Sequence, residues 1–178
     1  MKGKWLACLV LPFFFIGCLA MEPLKVREEK YGKNVPVVTN SFASKEMRPG
    51  ETWKVYLAAK DEDGDMKNIL CSIDQPGVGT YPISITRIKT EDQKEFSGYI
   101  YLFTARISGL FNMVNLTLNV QIEDKAGHYS APVSFPLSMN TRYSQEPPPK
   151  DAFQEKDLGP IMIQLRTAQD GAGTGMQW

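Results

Sequence analysis

Between Val114 and Met139 the sequence alternates with period two along two arms, and no other stretch limits the fold as strongly. Val114, Leu116, Leu118, Val120 and Ile122 fall on one face, while Asn115, Thr117, Asn119, Gln121 and Glu123 fall on the other. After Asp124-Lys125-Ala126-Gly127-His128 the alternation resumes: Val133, Phe135, Leu137 and Met139 face one way, and Ser134, Pro136 and Ser138 the other. Such a pattern predicts a β-hairpin with one dry and one wet face. A hairpin cannot hide its dry face alone, so a second layer must come from elsewhere in the chain.

The residues before it supply strands of the same kind. Val35-Pro36-Val37-Val38-Thr39 is a strand whose proline suits an edge position. Past the turn Arg48-Pro49-Gly50-Glu51, the residues Trp53, Val55, Leu57 and Ala59 alternate with polar neighbours, turning Trp53 inward. Further strands are expected over 68–74, with Ile69, Cys71 and Ile73 on one side, over 81–88, with Ile83 and Ile85 sharing a face, and over 96–104. About seven short strands with turn signals between them, and no amphipathic helix of useful length, predict an all-β sandwich. The expected domain spans residues 35–139.

Two turns resemble a known pattern. Asp61-Glu62-Asp63-Gly64-Asp65, after an early strand, and Asp124-Lys125-Ala126-Gly127-His128-Tyr129-Ser130, before the last, are similar to turns of bacterial Ig-like domains and of cadherin-like and PKD-like modules of surface proteins. The resemblance covers about three-fifths of the chain and implies an Ig-like β-sandwich. The chain departs from antibody-type domains: paired cysteines are absent, and the inward Trp53 lies on the second strand instead of the third.

The N-terminus reads as an address. Lys2 and Lys4 precede the apolar run Trp5–Ile16, which is short for a transmembrane helix of roughly 20 residues and suits an export signal. Phe15-Ile16-Gly17-Cys18 resembles a bacterial lipobox, with Phe15 where Leu is usual. That resemblance implies a signal peptide over 1–17 and lipidation of Cys18. Leu19 after it implies the outer rather than the inner membrane in a diderm host. The competing reading is cleavage after Cys18-Leu19-Ala20, giving a periplasmic or secreted protein. Charged residues follow without apolar periodicity, so 18–34 is expected to be a flexible stalk.

The formal net charge is zero, and removal of residues 1–17 leaves 18 basic against 20 acidic side chains, which gives no case for a nucleic-acid partner. A single histidine rules out a histidine-based metal cluster. Cys71 reads as a small buried apolar side chain, the alternative being a reactive thiol. His128, Ser130 and Asp124 share one turn, which sets no orientation for a nucleophile and its base, so no enzyme is expected.

Three places remain for binding. Asp61, Asp63 and Asp65 put three carboxylates into five residues, and in an Ig-like strand order Asp124 joins them at the same end. Hard oxygen donors of this kind suit calcium, the one cofactor considered, although the spacing is not that of an EF-hand loop. The other reading is a solvated turn whose Asp side chains bond their own backbone. Tyr99, Tyr101 and Phe103 form an aromatic face, either covered by loops or the C-terminal segment or offered to a partner. Glu146-Pro147-Pro148-Pro149-Lys150 is a stiff, extended break, and residues 140–178 around it read as a proline-rich linker and a mostly disordered tail. Its one apolar run, 160–165, places Ile161, Ile163 and Leu165 either on this sandwich or on a partner's sheet edge.

These features predict a non-catalytic envelope lipoprotein, anchored to a membrane through Cys18, which binds another envelope protein or forms part of a surface assembly. A calcium-dependent adhesive or carbohydrate-binding module is the alternative.

Overall fold

The computed structural model describes residues 22–104 and 114–166. A short helix, α1 (Leu24–Tyr31), precedes ten strands: β1 (Val37–Ala43), β2 (Glu46–Met47), β3 (Thr52–Lys60), β4 (Met66–Gln75), β5 (Gly79–Thr80), β6 (Ser84–Arg87), β7 (Glu95–Phe103), β8 (Val114–Asp124), β9 (Val133–Met139) and β10 (Asp157–Pro160). Seven of them answer to the seven expected runs. The other three, β2, β5 and β10, have two to four residues each, too few for alternation to reveal.

The hairpin forms as its pattern requires. Leu116 pairs with Leu137 and Leu118 with Phe135, and all four are buried. On the other side of β8, β4 sets Ile73 against Leu118, Cys71 against Val120 and Ile69 against Ile122. One sheet has the order β2-β9-β8-β4-β5, with β6 also paired to β4; the other has the order β1-β3-β7-β10. Taking the seven expected strands alone, the first, second and fifth share one sheet and the fourth, third, sixth and seventh the other. This is an Ig-like sandwich with its fourth strand paired to the third. β1 lies at a sheet edge, where Pro36 disturbs no ladder.

The second layer presses Trp53, Val55, Leu57, Ile100 and Leu102 onto the dry face of the first. Trp53 is fully buried, and its indole N–H donates to the Ser44 carbonyl at 2.9 Å, so its one polar atom is satisfied. Cys71 is a buried free thiol whose pKa is pushed up to about 12 by burial, in line with a packing role.

Two expected boundaries are corrected. Residues 24–31 of the expected stalk form α1, a helix that buries none of its residues, so no apolar stripe announces it. Polar bonds hold this region to the sandwich instead: Glu28 to His128 at 3.2 Å, and the backbone and side-chain amides of Asn34 to Asp63, each at 2.7 Å. Residues 140–166 are not a tail detached from the domain. After the proline run the chain crosses the outer face of the sheet containing β3 and β7, and β10 joins the edge of β7 in parallel. Ile161 and Ile163 then enter the core, at 4% and 9% exposure, while Met162 between them stays 76% exposed. Leu165 packs partly buried against the same cluster. The tail run was ambiguous because three apolar residues at period two fit an own core as well as a partner's edge.

Burying an isoleucine stabilises a fold by about 1.5–3 kcal/mol, and truncating it to alanine adds a cavity cost. Ile161→Ala is therefore expected to lower unfolding stability by about 2–5 kcal/mol in urea denaturation, and Met162→Ala by less than about 0.5 kcal/mol.

Candidate functional site

At one end of the sandwich the close of β3, the start of β4 and the close of β8 meet. Met66 pairs with Asp124, and Asp61 is held by its N–H donating to the Lys94 carbonyl at 2.8 Å. The left-handed conformation of Gly64, φ +72°, turns the chain between Asp63 and Asp65. Asp61, Asp65 and Asp124 are 3%, 6% and 1% exposed, and one carboxylate oxygen from each lies within 4.8 Å of the others.

Backbone donors serve most of this charge. Asp61 accepts from the N–H of Asp63 at 3.2 Å and of Asp65 at 3.4 Å, and Asp65 from the N–H of Lys125 at 3.2 Å. Asp124 accepts from the N–H groups of Gly127 and His128 at 2.6 and 2.8 Å, and from His128 Nδ1 at 2.8 Å. These bonds do not fully offset three carboxylates out of water. Burial, with the hydrogen bond to Asp65 next in weight, pushes the Asp61 carboxyl up to about 6. A shared proton is one way to hold such a set; a cation is the other.

Asp63 does not belong to this set. It points outward and accepts both amide groups of Asn34, chiefly the backbone N–H, which holds its pKa below the ordinary value. Gly32 approaches it so closely that a Cβ there would sit 2.0 Å from Asp63 Oδ2, so that glycine is required both by this contact and by its φ of +117°. The structure thus gathers Asp61, Asp65 and Asp124 and assigns Asp63 to fastening the segment that carries α1.

His128 lies between two carboxylates, with Nδ1 facing Asp124 and Nε2 facing Glu28. Burial opposes its charge, but the hydrogen bonds to Glu28 and Asp124 outweigh it and raise the pKa. Ser130 Oγ accepts from the Ile122 N–H at 3.0 Å and donates to the Ala131 carbonyl at 3.0 Å. Both ring nitrogens and the hydroxyl are committed to other partners, so they form no nucleophile and base pair.

The aromatic face lies on the outside of the sheet containing β3 and β7. Tyr56 is covered: Phe153 packs on its ring at 5.5 Å, and its hydroxyl donates to Glu155 at 2.6 Å. Lys54 bonds Glu155 at 2.8 Å and lies 4.0 Å from the centre of the Tyr99 ring. Tyr99 and Tyr101 are half-buried, and Phe103, edge-on to Tyr101 at 5.1 Å, is 62% exposed. The C-terminal segment therefore covers one end of the row and leaves the other open. Ile161 and Ile163, expected as partner contacts, belong to the core, and Leu165 packs against it, because their period-two spacing lets them complete this sandwich. Cys18 lies outside the described residues.

An open groove lined by Lys67, Arg87, Lys89 and Lys125 escaped the sequence analysis, since these residues are spread over almost sixty positions and form no basic run.

No family profile matches the sequence, and no curated protein matches it. Among solved structures, the chain is similar to a β-glucosidase from Listeria innocua in complex with glucose, at 12% identity and a TM-score of 0.41, over 62% of this chain and 17% of that one. It is also similar to a CARDB domain from Pyrococcus furiosus in complex with di-metal ions, at 8% identity and a TM-score of 0.30, over 60% of this chain and 87% of that one. A third similarity is to the complex of Zinc 2-glycoprotein and prolactin inducible protein from human seminal plasma, at 11% identity and a TM-score of 0.32, covering 62% and 97% of the respective chains. The strand order β1-β3-β7 against β6-β4-β8-β9 by itself defines the sandwich as Ig-like.

The Asp61 carboxyl has a folded-state pKa near 6 against an ordinary 3.8. Its contribution to stability is therefore complete below the unfolded value and is lost as pH rises through the folded one. In chelator, thermal unfolding should show this loss between about pH 4 and 7, and Asp61→Asn should flatten that part of the profile.

Proposed function

We propose that this chain is a non-catalytic binding module of the cell envelope, lipid-anchored through Cys18 in the outer membrane, which presents the open end of its aromatic face to another envelope protein. The observation that carries this reading is Phe103, 62% exposed at the end of the row Tyr99, Tyr101 and Phe103. Aromatic anchors set in a rigid sheet are the side chains around which protein interfaces concentrate their energy. Lys54 and Glu155 beside the row supply a polar rim. The lipobox-like Phe15-Ile16-Gly17-Cys18 supports the anchor, and the commitment of His128 and Ser130 to structural bonds supports a role without catalysis.

Mild cross-linking in intact envelopes, followed by affinity capture of the full chain, tests this reading. A stoichiometric protein partner is expected, and Tyr101→Ala with Phe103→Ser should reduce its capture at least tenfold, about 1.4 kcal/mol, with thermal unfolding still cooperative. Equal capture by the double variant removes the aromatic face from the proposal. Mass spectrometry of the mature N-terminus tests lipidation at Cys18.

A second reading, a calcium-dependent adhesive or carbohydrate-binding module, is favoured by the buried set Asp61, Asp65 and Asp124. These carboxylates offer three hard oxygens toward the six to eight that calcium takes. Calcium at about one hundred times its dissociation constant would add about 2.7 kcal/mol of stability. The expected signature is a rise in melting temperature that Asp124→Asn abolishes and Asp63→Ala preserves. No rise at millimolar calcium sets this reading aside.

A further inference from the structure

The described residues gather an apolar strip and a basic groove on one side of the molecule. β6 turns Ser84 and Thr86 inward, so Ile83, Ile85 and Arg87 point outward together. Ile83 and Ile85 are 63% and 60% exposed, and half-buried Leu70 lies opposite Ile85 on β4. Met162 stands beside them, its backbone N–H donating to Ser84 Oγ at 2.8 Å. Beyond Ile85 the strip runs into the groove lined by Lys67, Arg87, Lys89 and Lys125, with Thr90 and Gln93.

The charges of this groove are poorly matched within the chain. Lys67 is 3.7 Å from Glu123, and the Lys125 ammonium donates to Gln93 at 2.7 Å. Asp92, close by, is bonded to Lys156. Among the described residues neither Arg87 nor Lys89 forms an ion pair. Asp157 lines the adjoining hollow with Arg87, Lys89 and Asp92 but, among the described residues, forms no ion pair. The cations of the groove thus stay close together with few direct partners and repel one another until an anion arrives. Exposed aliphatic side chains next to them have the opposite need, a place out of water.

One partner meets both needs at once. The interface of an anionic bilayer offers phosphates to basic side chains and acyl chains to apolar ones just beneath. Single-stranded nucleic acid would use exposed aromatic platforms and a protein interface would centre on aromatic anchors, whereas Tyr81, the aromatic beside Ile83 and Met162, is buried with its hydroxyl donated to Gln75. We infer that the outward face of β6 and the adjoining basic groove dock on an anionic lipid bilayer. Ile83, Ile85 and Met162 enter the headgroup region, and Lys67, Arg87, Lys89 and Lys125 face lipid phosphates. Lys125 opens the turn whose His128 holds α1, and α1 begins at Leu24, shortly after Cys18. The inference deepens the envelope reading above, since a lipid on Cys18 would bring this end of the sandwich to the bilayer.

The test uses the full chain carrying Cys18→Ser, so its outcome is separate from whether Cys18 is lipidated. Co-sedimentation is measured with vesicles of phosphatidylcholine alone and with about 30% phosphatidylglycerol added, whose negative surface potential attracts basic side chains. Every variant keeps the apolar run Trp5–Ile16, so the neutral vesicles report what that run contributes. Binding should be stronger to the anionic vesicles and weaken with salt. Arg87→Gln with Lys89→Gln should lower it about thirtyfold, at roughly tenfold or less per basic residue. Ile83→Ser with Ile85→Ser should lower binding as well, and both pairs are exposed enough to leave the melting temperature unchanged. Equal binding to both vesicle types, or no loss in the Arg87/Lys89 variant, would falsify the inference. So would binding to dextran sulfate by a chain that fails to sediment with either vesicle, which would assign the groove to a soluble polyanion.

Discussion

The dry face of β8 is the surface to which the rest of this chain answers. Leu118 and Ile122 are fully excluded from solvent, with β9 on one side, β4 on the other and the second sheet across the core. Each of those contacts offers apolar area that an isolated hairpin would leave wet. The opposite sheet is fitted to the same requirement, with Trp53 filling the largest space and Ile100 and Leu102 continuing it along β7. The polar features all lie around this core: the carboxylates at the strand ends, the aromatic row and the basic groove on the outside.

The fold was legible wherever period two ran for four residues or more. Alternation gave the hairpin, the inward Trp53 and the shared face of Ile69, Cys71 and Ile73, and Pro36 gave the edge position of β1. The shared face of Ile83 and Ile85 held too, but it turned out to be the wet one, because the small side chains Ser84 and Thr86 take the inward positions of β6. Alternation fixes which residues go together and leaves open which side is dry. The helix α1 had no apolar stripe to show, since it is held by Glu28, and the segment after it by Asn34. In the acidic turn, composition named four carboxylates, and backbone geometry selected three. No reading of one sequence separates a carboxylate that points inward from its neighbour two residues away that points out.

The two ends of the described chain are fastened by different physics. The N-terminal segment is attached by charge and hydrogen bonding, through the imidazole of His128 and the carboxylate of Asp63. The C-terminal segment is attached by exclusion of water, through Ile161 and Ile163, with Lys156 and Glu155 bonded above them. Ion pairs at partly exposed sites are weakened by salt and by pH, whereas the packing of buried aliphatic side chains is not. The sandwich is thus closed permanently at one margin and clasped adjustably at the other.

The parallel placement of β10 has a consequence for how the molecule is made. Its partner β7 is complete at Phe103, but residues 157–163 are synthesised more than fifty residues later. During that interval the outer edge of β7 shows unpaired amide and carbonyl groups, and the core lacks Ile161 and Ile163. Open sheet edges invite pairing with other chains. Biogenesis of this protein therefore includes a window, ended only by its late-emerging strand, in which a chaperone has something to hold.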